Sequence, residues 1–311
     1  MKAIRKNTKL NGDTYGILGE FRTCPQEATT VYALLQLGAQ TLAQNGYSDD
    51  QLTSEAILSH VLCENREAFY RDPQRKVNEE HVNSFFKLLY QRKKGMPLAY
   101  LVGEKDFFSL PFYVNPNTLI PRPETELLVQ EVIDTVKNEQ ISLPHVLDVG
   151  TGTGAIAIAI KKNVPHSLVK AIDMSPKALN VAKRNSIRHG TKIGLICGNL
   201  LESISQPFDI VVANLPYIAQ KEMEDLPLDV REYEPHPALI AGEDGLDLIR
   251  QLIKETPLRL KDRGKLILEV GMGQALQVVE LLKSSGFWVK KIVKDLSSIE
   301  RMVVGVKRGL G

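Results

Sequence analysis

The run from Phe208 to Tyr217 combines the pattern of a buried strand with groups that could position an amide. It is apolar, β-branched in its middle and too short for a helix, and it ends in Asn-Leu-Pro-Tyr. Pro216 cannot donate a ladder hydrogen bond, and it biases Leu215 toward an extended backbone. We therefore expect a strand to end here, and in open α/β sheets ligands bind at the carboxyl ends of strands.

The Asn-Leu-Pro-Tyr segment could hold a planar NH2 group. The Asn214 side-chain oxygen can accept one hydrogen, the Leu215 carbonyl can accept the other, and the Tyr217 ring can stack on the flat face. Such a grip favours a pyramidal nitrogen whose lone pair points at an electrophile, without an ionised base. The alternative is an Asn-Pro-type turn without function, and these four residues alone favour neither interpretation.

Bulk composition narrows the class of protein. The 311 residues suggest two domains, and 43% hydrophobic with 24% charged residues is typical of a soluble globular chain. A net charge of +2 argues against a nucleic-acid or membrane partner. Three cysteines, Cys24, Cys63 and Cys197, fit no metal or redox spacing, so we expect reduced thiols, no metal and a cytoplasmic location. Neither a signal peptide nor a membrane-spanning run is predicted.

Periodicity divides the chain into four parts. Residues 1–27 show none and are expected to form a flexible extension. Residues 28–95 carry three helical patterns and predict a small helical domain, whereas aromatic residues around Pro111 predict a β-hairpin linker over 96–123. From 124 to 311 strand and helix signals alternate, which predicts an α/β domain with a mostly parallel, doubly wound sheet and a closing hairpin at its edge.

The turn from Asp148 to Gly154 is a candidate cofactor site. Its glycines permit a tight turn and a close ligand approach, and Asp173, at the end of the next predicted strand, could bind two ribose hydroxyls. The spacing Gly150-x-Gly152-x-x-Ala155 also satisfies the dinucleotide pattern, so a nicotinamide oxidoreductase would explain these residues equally well.

Two observations favour S-adenosylmethionine over a dinucleotide. Asp148 lies two residues before the first glycine of the turn, where it would repel a pyrophosphate but could help to hold the amino group of a methionine-like ligand. The Asn-Leu-Pro-Tyr segment ends the fourth predicted strand of the domain, close to the expected position of the reactive part of a bound nucleoside.

Taken together, these motifs resemble the HemK/PrmC family of S-adenosylmethionine-dependent methyltransferases, which modify the glutamine of the Gly-Gly-Gln motif in peptide chain release factors. The resemblance spans residues 30–307 and rests on Pro97-Leu-Ala-Tyr100, Pro121-Arg-Pro-Glu-Thr-Glu126, Asp148 to Gly154, Asp173, Asn214 to Tyr217, Glu234-Pro235, Asp244-Gly-Leu246 and Glu269-Val-Gly271. It implies a class I, Rossmann-like domain with a seven-stranded sheet. It also implies a helical domain that helps to dock the release factor, with S-adenosylhomocysteine as product.

The resemblance also assigns roles to single residues. The methionine part of the cofactor should be wrapped by Gly150, Thr151, Gly152, Thr153 and Gly154. Asp173 should bind the ribose, and Asn199 and Leu200 should flank the adenine. The substrate glutamine should be held by Asn214, Leu215, Pro216 and Tyr217, and Asn214 should also face the cofactor.

Three positions depart from the family pattern, which puts affinity and rate in question more than the reaction class. Leu215 replaces the first proline of Asn-Pro-Pro-Tyr, Asn199 replaces an acid, and Leu200 replaces an aromatic residue. An adenine-amino DNA or RNA methyltransferase, a ribosomal-protein glutamine methyltransferase and a non-catalytic binding module remain open alternatives. We expect a monomer that acts on release factors without binding nucleic acid directly, and that uses residues 218–243 as a long docking loop.

Overall fold

The computed structural model describes residues 30–309, so the predicted extension over 1–27 lies outside the described residues. The chain divides into two compact units between Val102 and Gly103. This division falls inside the segment 96–123 that was predicted to be a linker.

The first unit consists of helices. Its elements are α1 (Val31–Ala43), α2 (Asp50–Leu62), α3 (Glu67–Arg71), α4 (Glu79–Lys93) and α5 (Leu98–Val102). The helix α1 starts at Thr30, whose hydroxyl accepts a hydrogen bond from the Ala33 amide. Gly38 lets α1 approach its neighbours closely, because a Cβ there would lie 2.2 Å from Ser54 Oγ and 2.8 Å from the Phe85 ring. The three predicted helices therefore pack around one apolar core.

Two short helices of this unit, α3 and α5, were not predicted from the sequence. Each has five residues. Such a length shows little more than one helical turn, too short for a periodic apolar pattern to appear. Phe69 of α3 and Leu101 of α5 are buried, so packing rather than local propensity accounts for both helices. Residues 98–102 are thus helical and belong to the first unit.

The second unit begins with the predicted hairpin. Strands β1 (Glu104–Phe107) and β2 (Leu110–Tyr113) pair antiparallel. Phe108 and Ser109 between them both have positive φ, 50° and 58°, which suits a two-residue turn that matches the twist of the strands. Tyr113 is held by Asn185, which accepts from its amide at 2.8 Å and donates to its carbonyl at 3.0 Å.

A seven-stranded sheet forms the centre of this unit in the described part of the chain, in the order β5-β4-β3-β6-β7-β9-β8. The strands are β3 (His145–Val149), β4 (Leu168–Asp173), β5 (Gly194–Cys197), β6 (Phe208–Ala213), β7 (Leu260–Glu269), β8 (Phe287–Lys294) and β9 (Glu300–Lys307). Strands β3 to β7 are parallel, and β9 runs antiparallel between β7 and β8. The predicted α/β fold and closing hairpin are confirmed.

Six α-helices lie between or before these strands in the described residues. They are α6 (Glu126–Asn138), α7 (Ala155–Asn163), α8 (Pro176–Arg188), α10 (Asp247–Glu255) and α11 (Ala275–Ser284), while α9 (Leu228–Tyr233) lies in the segment after β6. Successive residues of β6 serve opposite faces: Val211 and Ala213 join one core cluster, and Ile210 and Val212 join the other. A strand buried on both faces must be apolar throughout, which explains the run that the sequence displays.

Two element predictions after β6 were wrong in detail. Residues 218–243, predicted to be a long loop, contain α9, a six-residue 3₁₀ helix at Gln220–Asp225 and a single 3₁₀ turn at His236–Ala238. The sequence pattern from Leu246 to Leu260 predicts a single helix. In the structure the helix ends at Glu255, and a single turn at Thr256–Leu258 follows, because Pro257 cannot continue an α-helix. No helix among residues 30–309 is long and apolar enough to cross a membrane.

Candidate active site

The register of the sheet brings the predicted site residues to one edge. Val149 is paired with Ile172 on one side and with Ala213 on the other, so Gly150 and Asn214 leave adjacent strands at the same level. Ala213 is also paired with Leu268, which places Glu269 beside Asn214. Parallel strands therefore deliver a glycine-rich turn, an amide and a carboxylate to neighbouring positions.

A cavity of about 330 Å³ opens at this edge. Ten of the predicted residues line it: Gly150, Thr151, Gly152, Thr153, Asp173, Asn199, Leu200, Asn214, Leu215 and Pro216. The remaining three, Asp148, Gly154 and Tyr217, are placed elsewhere.

The glycine-rich turn passes close to the end of β6. Gly150 and Gly152 have φ values of 73° and 54°, a region that glycine occupies without strain. A Cβ on Gly150 would lie 3.0 Å from Leu215 Cδ2 and 3.6 Å from the Asn214 carbonyl oxygen. The turn thus leaves its backbone bare toward the cavity, as a close-fitting ligand requires.

Asp148 does not line the cavity, which corrects the expectation that it contacts a ligand directly. The side chain is completely buried beneath the turn, where Oδ2 accepts from Thr151 Oγ1 at 2.6 Å and from the Ala157 amide at 3.2 Å. Oδ1 has no hydrogen-bond partner among the described residues. Burial raises the pKa of Asp148 to about 7. The carboxyl group therefore fixes the turn from behind.

Gly154 also serves packing rather than the cavity. Its φ is 80°, and a Cβ there would lie 3.1 Å from Ala182 Cβ and 3.1 Å from Ile158 Cδ1. The missing side chain lets the start of α7 contact α8 closely, so Gly154 contributes to the site by placing the turn.

Asp173 both supports the turn and faces the cavity. One carboxylate oxygen accepts from the Gly152 amide at 2.9 Å, and the other accepts from the Ser175 amide at 2.8 Å. Burial raises the pKa of this carboxyl group. Because each carboxylate oxygen can accept more than one hydrogen bond, the side chain can still accept from a ligand.

The walls beyond Asp173 suit a flat apolar group. Leu200 is buried and has a φ of 43°, which turns its side chain into the cavity lining after β5. Asn199 also lines the cavity and donates to Glu202 Oε1 at 3.2 Å, so its own side-chain oxygen stays available as an acceptor. Bare glycine backbone, a ribose-compatible carboxylate and an apolar wall together fit a nucleoside that carries an amino-acid tail.

Two residues that the sequence did not assign to the site hold the Asn214 side chain, Thr125 directly and Glu269 through Thr125. Asn214 Nδ2 donates to Thr125 Oγ1 at 2.9 Å, and Thr125 Oγ1 donates to Glu269 Oε2 at 2.6 Å. Glu269 is 1% exposed, and burial, its largest influence, raises its pKa to about 7. Both residues occur in motifs that carry the family resemblance. Glu269 also ends an apolar strand, and that position could have indicated a site residue.

Tyr217 lies in a second cleft, of about 190 Å³, that shares Asn214, Leu215 and Pro216 with the first cavity. Its ring seats against Gly271, where a Cβ would lie 3.0 Å from Tyr217 Cδ2. Its carbonyl accepts from Gln274 Nε2 at 2.9 Å, and its hydroxyl lies 3.5 Å from Glu269 Oε1. Burial raises the pKa of Tyr217 to about 12, so the ring stays neutral.

A buried ion pair joins two segments that line both openings. Glu234 is 3% exposed and accepts from Arg122 Nη2 at 2.5 Å and from the Ile120 amide at 3.1 Å. Burial raises the pKa of this carboxyl group, whereas the Arg122 charge lowers it. The pair fixes the segment 117–122 against the segment 235–238, and we call this arrangement the strap.

Two parts of the chain match known protein families. Residues 33–103 match the family described as PrmC N-terminal domain, and residues 123–228 match the methyltransferase small domain. A release factor glutamine methyltransferase of Geobacter sulfurreducens is 37% identical over 283 residues, which cover 90% of this chain and 97% of that protein. A protein of the same description from Fusobacterium nucleatum is 36% identical over 308 residues, which cover 98% of this chain and 86% of that protein.

Among solved structures, a release-factor-specific protein-(glutamine-N5) methyltransferase from Alicyclobacillus acidocaldarius is 30% identical. The match covers 63% of this chain and 99% of that chain, with a TM-score of 0.38.

Proposed function

The chain belongs to the family of release factor glutamine methyltransferases, and on that premise we propose that it methylates the side-chain amide nitrogen of the glutamine in the Gly-Gly-Gln motif of a peptide chain release factor. One observation carries the proposal: Asn214, Leu215 and Pro216 line both the larger cavity and the second cleft. A methyl donor in the first and an amide in the second would meet at these residues.

The larger cavity suits S-adenosylmethionine. The bare backbone of Gly150 and Gly152 would hold the methionine part, Asp173 would accept from the ribose hydroxyls, and Leu200 would cover the adenine face. When bound, this cofactor supplies an electrophilic methyl group on a sulfonium centre and leaves as S-adenosylhomocysteine. A nicotinamide oxidoreductase, which the glycine spacing alone left open, is set aside by the family to which the chain belongs.

The second cleft suits the glutamine side chain. Asn214 Oδ1 and the Leu215 carbonyl would accept the two amide hydrogens, and the neutral Tyr217 ring would cover the flat face. With the methyl donor bound, the amide nitrogen held by Asn214 and Leu215 would accept the methyl group and would lose one proton to water. Preorganised acceptors of this kind lower a barrier without an ionised base.

The first unit would contribute to docking. We assign the domain predicted over residues 28–95 to recognition of the release factor, because residues 33–103 match the domain named for this family. With Cys63 and Cys197 as exposed free thiols and a translation factor as substrate, we place the enzyme in the cytoplasm.

The decisive experiment is transfer of labelled methyl from S-adenosylmethionine to purified release factor. A Gly-Gly-Ala version of the factor and unmethylated DNA serve as parallel substrates. We expect label on the intact factor alone. Label on DNA would assign the protein to the adenine-amino methyltransferases, and no label despite cofactor binding would contradict the proposal.

The variant Asn214→Ala tests the residue at the centre of the proposal. Loss of one preorganised hydrogen bond should lower kcat by about 10²–10³-fold, as in other enzymes that stabilise a transition state in this way. Cofactor affinity, measured by calorimetry, should be largely kept. Asn180→Ala, an exposed position on α8, is the matched control. An unchanged kcat in Asn214→Ala would overturn the mechanism.

A further inference from the structure

The hydrogen-bond chain from Glu269 through Thr125 to Asn214 has a direction. A threonine hydroxyl carries one hydrogen, and an ionised carboxylate can only accept. At 2.6 Å from Glu269 Oε2, the Thr125 hydroxyl must therefore give its hydrogen to an ionised Glu269. Thr125 Oγ1 is then left as an acceptor for Asn214, which lies 2.9 Å away.

This direction decides how the Asn214 amide is turned. With Thr125 Oγ1 as an acceptor, the Asn214 atom beside it must be Nδ2, and Oδ1 points to the opposite side. We propose that Glu269, acting through Thr125, is a positioning residue that turns the oxygen of Asn214 toward the substrate amide. The inference rests on the proposed function, because an NH2 group on the substrate is what makes an oxygen the productive choice.

Protonation of Glu269 would reverse the chain. A neutral carboxyl group can donate to Thr125 Oγ1, and Thr125 can then donate its own hydrogen to Asn214 Oδ1. The Asn214 amide would rotate, and its NH2 group would face the NH2 group of the substrate, a donor against a donor. Methyl transfer therefore requires the ionised form of Glu269.

The groups around Glu269 set the pH at which it becomes protonated. Burial is the largest influence and raises its pKa to about 7, and the Glu124 charge acts in the same direction. Hydrogen bonds from Thr125 and Tyr217 and the charge of Arg301 lower it. Arg301 is itself paired with Asp295 at 3.0 Å. The midpoint therefore falls near neutral pH, where the relay can be tested.

A purely structural role would not need a carboxylate here. A buried carboxylate loses hydration that a short bond from Thr125 and a long one from Tyr217 do not replace, so an uncharged acceptor would stabilise the fold better. The charge does, however, force a single proton arrangement on Thr125, which a neutral amide acceptor would not. The carboxylate is thus explained by orientation rather than by stability.

Rate profiles against pH test the relay in the whole enzyme. In the wild type we expect kcat to rise with pH, with a midpoint near 7. Glu269→Gln should abolish this rise, because an amide does not titrate. Thr125→Val should lower kcat about tenfold or more and flatten the profile, whereas Thr125→Ser, which keeps the hydroxyl, should restore both rate and profile.

A spectroscopic measurement separates this inference from the proposed function. In enzyme labelled with ¹⁵N-asparagine, the side-chain signal of Asn214 is the one lost in Asn214→Ala. We expect it to shift with a midpoint near pH 7 in the wild type and not in Glu269→Gln or Thr125→Val. A pH-independent signal, or a Glu269→Gln enzyme that keeps the wild-type rate profile, would overturn the relay. If no release factor is methylated, the proposed function fails, while this titration still decides the relay.

Discussion

Leu215 connects the segment that would grip the substrate with the turn that would hold the cofactor. The side chain is 4% exposed and belongs to the core cluster on one face of the sheet. Its Cδ2 atom lies 3.0 Å from the position of a Cβ on Gly150. Where the family pattern places proline, this chain therefore has a core side chain that packs beneath the glycine-rich turn.

Shortening Leu215 should loosen both the core and the turn. We expect Leu215→Ala to reduce the free energy of unfolding by about 2–5 kcal/mol, the usual effect of deleting a buried leucine side chain. The cofactor dissociation constant should rise as the turn loses its support. Urea unfolding and calorimetry measure the two effects. Leu276→Ala, at a 69% exposed position, is the control, and equal unfolding of both variants would contradict this account.

Site residues can be predicted from the sequence where they stand in a local motif. Asn214, Asp173 and Gly150 belong to this class, because each follows a predicted strand. The relay residues do not, since Thr125 lies 89 positions from Asn214 and 144 positions from Glu269. The pairing of β6 with β7 brings Asn214 beside Glu269, and the packing of α6 against these strands adds Thr125. No local signal contains either arrangement. Asp148 shows the converse: its position was predicted, but its burial depends on Thr151 and α7 packing around it.

Among the elements, the strap connects two segments that both line the openings. Its centre is a carboxylate, Glu234, that is buried far more deeply than its partner, since Arg122 is 33% exposed. Removing the arginine would leave that carboxylate without a counter-charge, and an unpaired buried charge is strongly destabilising.

We expect Arg122→Ala to lower the melting temperature and to weaken cofactor binding. Arg122 holds the pKa of Glu234 down against the effect of burial, so its removal raises that pKa further. Glu234 can then become neutral more readily in acid, and the loss of stability should be smaller at pH 5.5 than at pH 8. Thermal unfolding at both pH values measures this difference.

A matched control for the strap lies on α10. Arg250 pairs with Asp244 and Asp247 but is 45% exposed, so Arg250→Ala should cost at most about 1 kcal/mol. If both arginine variants unfold alike and both keep the wild-type cofactor affinity, the strap supports neither the fold nor the cofactor cavity.

Elements are predictable where they are long enough to show a period. The parallel strands and the helices α1, α2, α4 and α8 followed from apolar spacing and end signals. The short helices α3, α5 and α9 did not, because tertiary contacts fix their conformation. The position of β9 between β7 and β8 could not be predicted either, because the order of strands in a sheet depends on long-range pairing, which a single sequence does not show.

At the scale of the whole molecule, two buried carboxyl groups among residues 30–309, Asp148 and Glu269, have a pKa that is raised to about 7 in the folded state. Their ordinary values are 3.8 and 4.5. Between those values and pH 7 the folded chain binds protons that the unfolded chain has released. The free energy of unfolding therefore falls as pH rises through this range, by on the order of 3–4 kcal/mol for each group.

Replacing either carboxyl group by its amide removes this dependence. We expect Asp148→Asn and Glu269→Gln to be more stable than the wild type at pH 8 and to lose that advantage at pH 5. The single tryptophan, Trp288, lies in β8, so its fluorescence follows unfolding of the second unit alone. Urea titrations at the two pH values measure the effect. A wild type that is equally stable at both, with no gain in either variant, would contradict it.

Rate profiles of the same two variants distinguish the roles of the two carboxyl groups. Glu269→Gln should combine higher stability at pH 8 with a changed rate profile, because its charge orients Asn214. Asp148 is hydrogen-bonded to Thr151 in the turn and to the Ala157 amide of α7, and not to Asn214. Asp148→Asn should therefore keep the wild-type rate profile against pH, while cofactor affinity reports any movement of Thr151. If both variants lost the rise of kcat near neutral pH, that rise would not belong to Glu269 alone. A profile lost only in Glu269→Gln would place the functional charge at the end of β7.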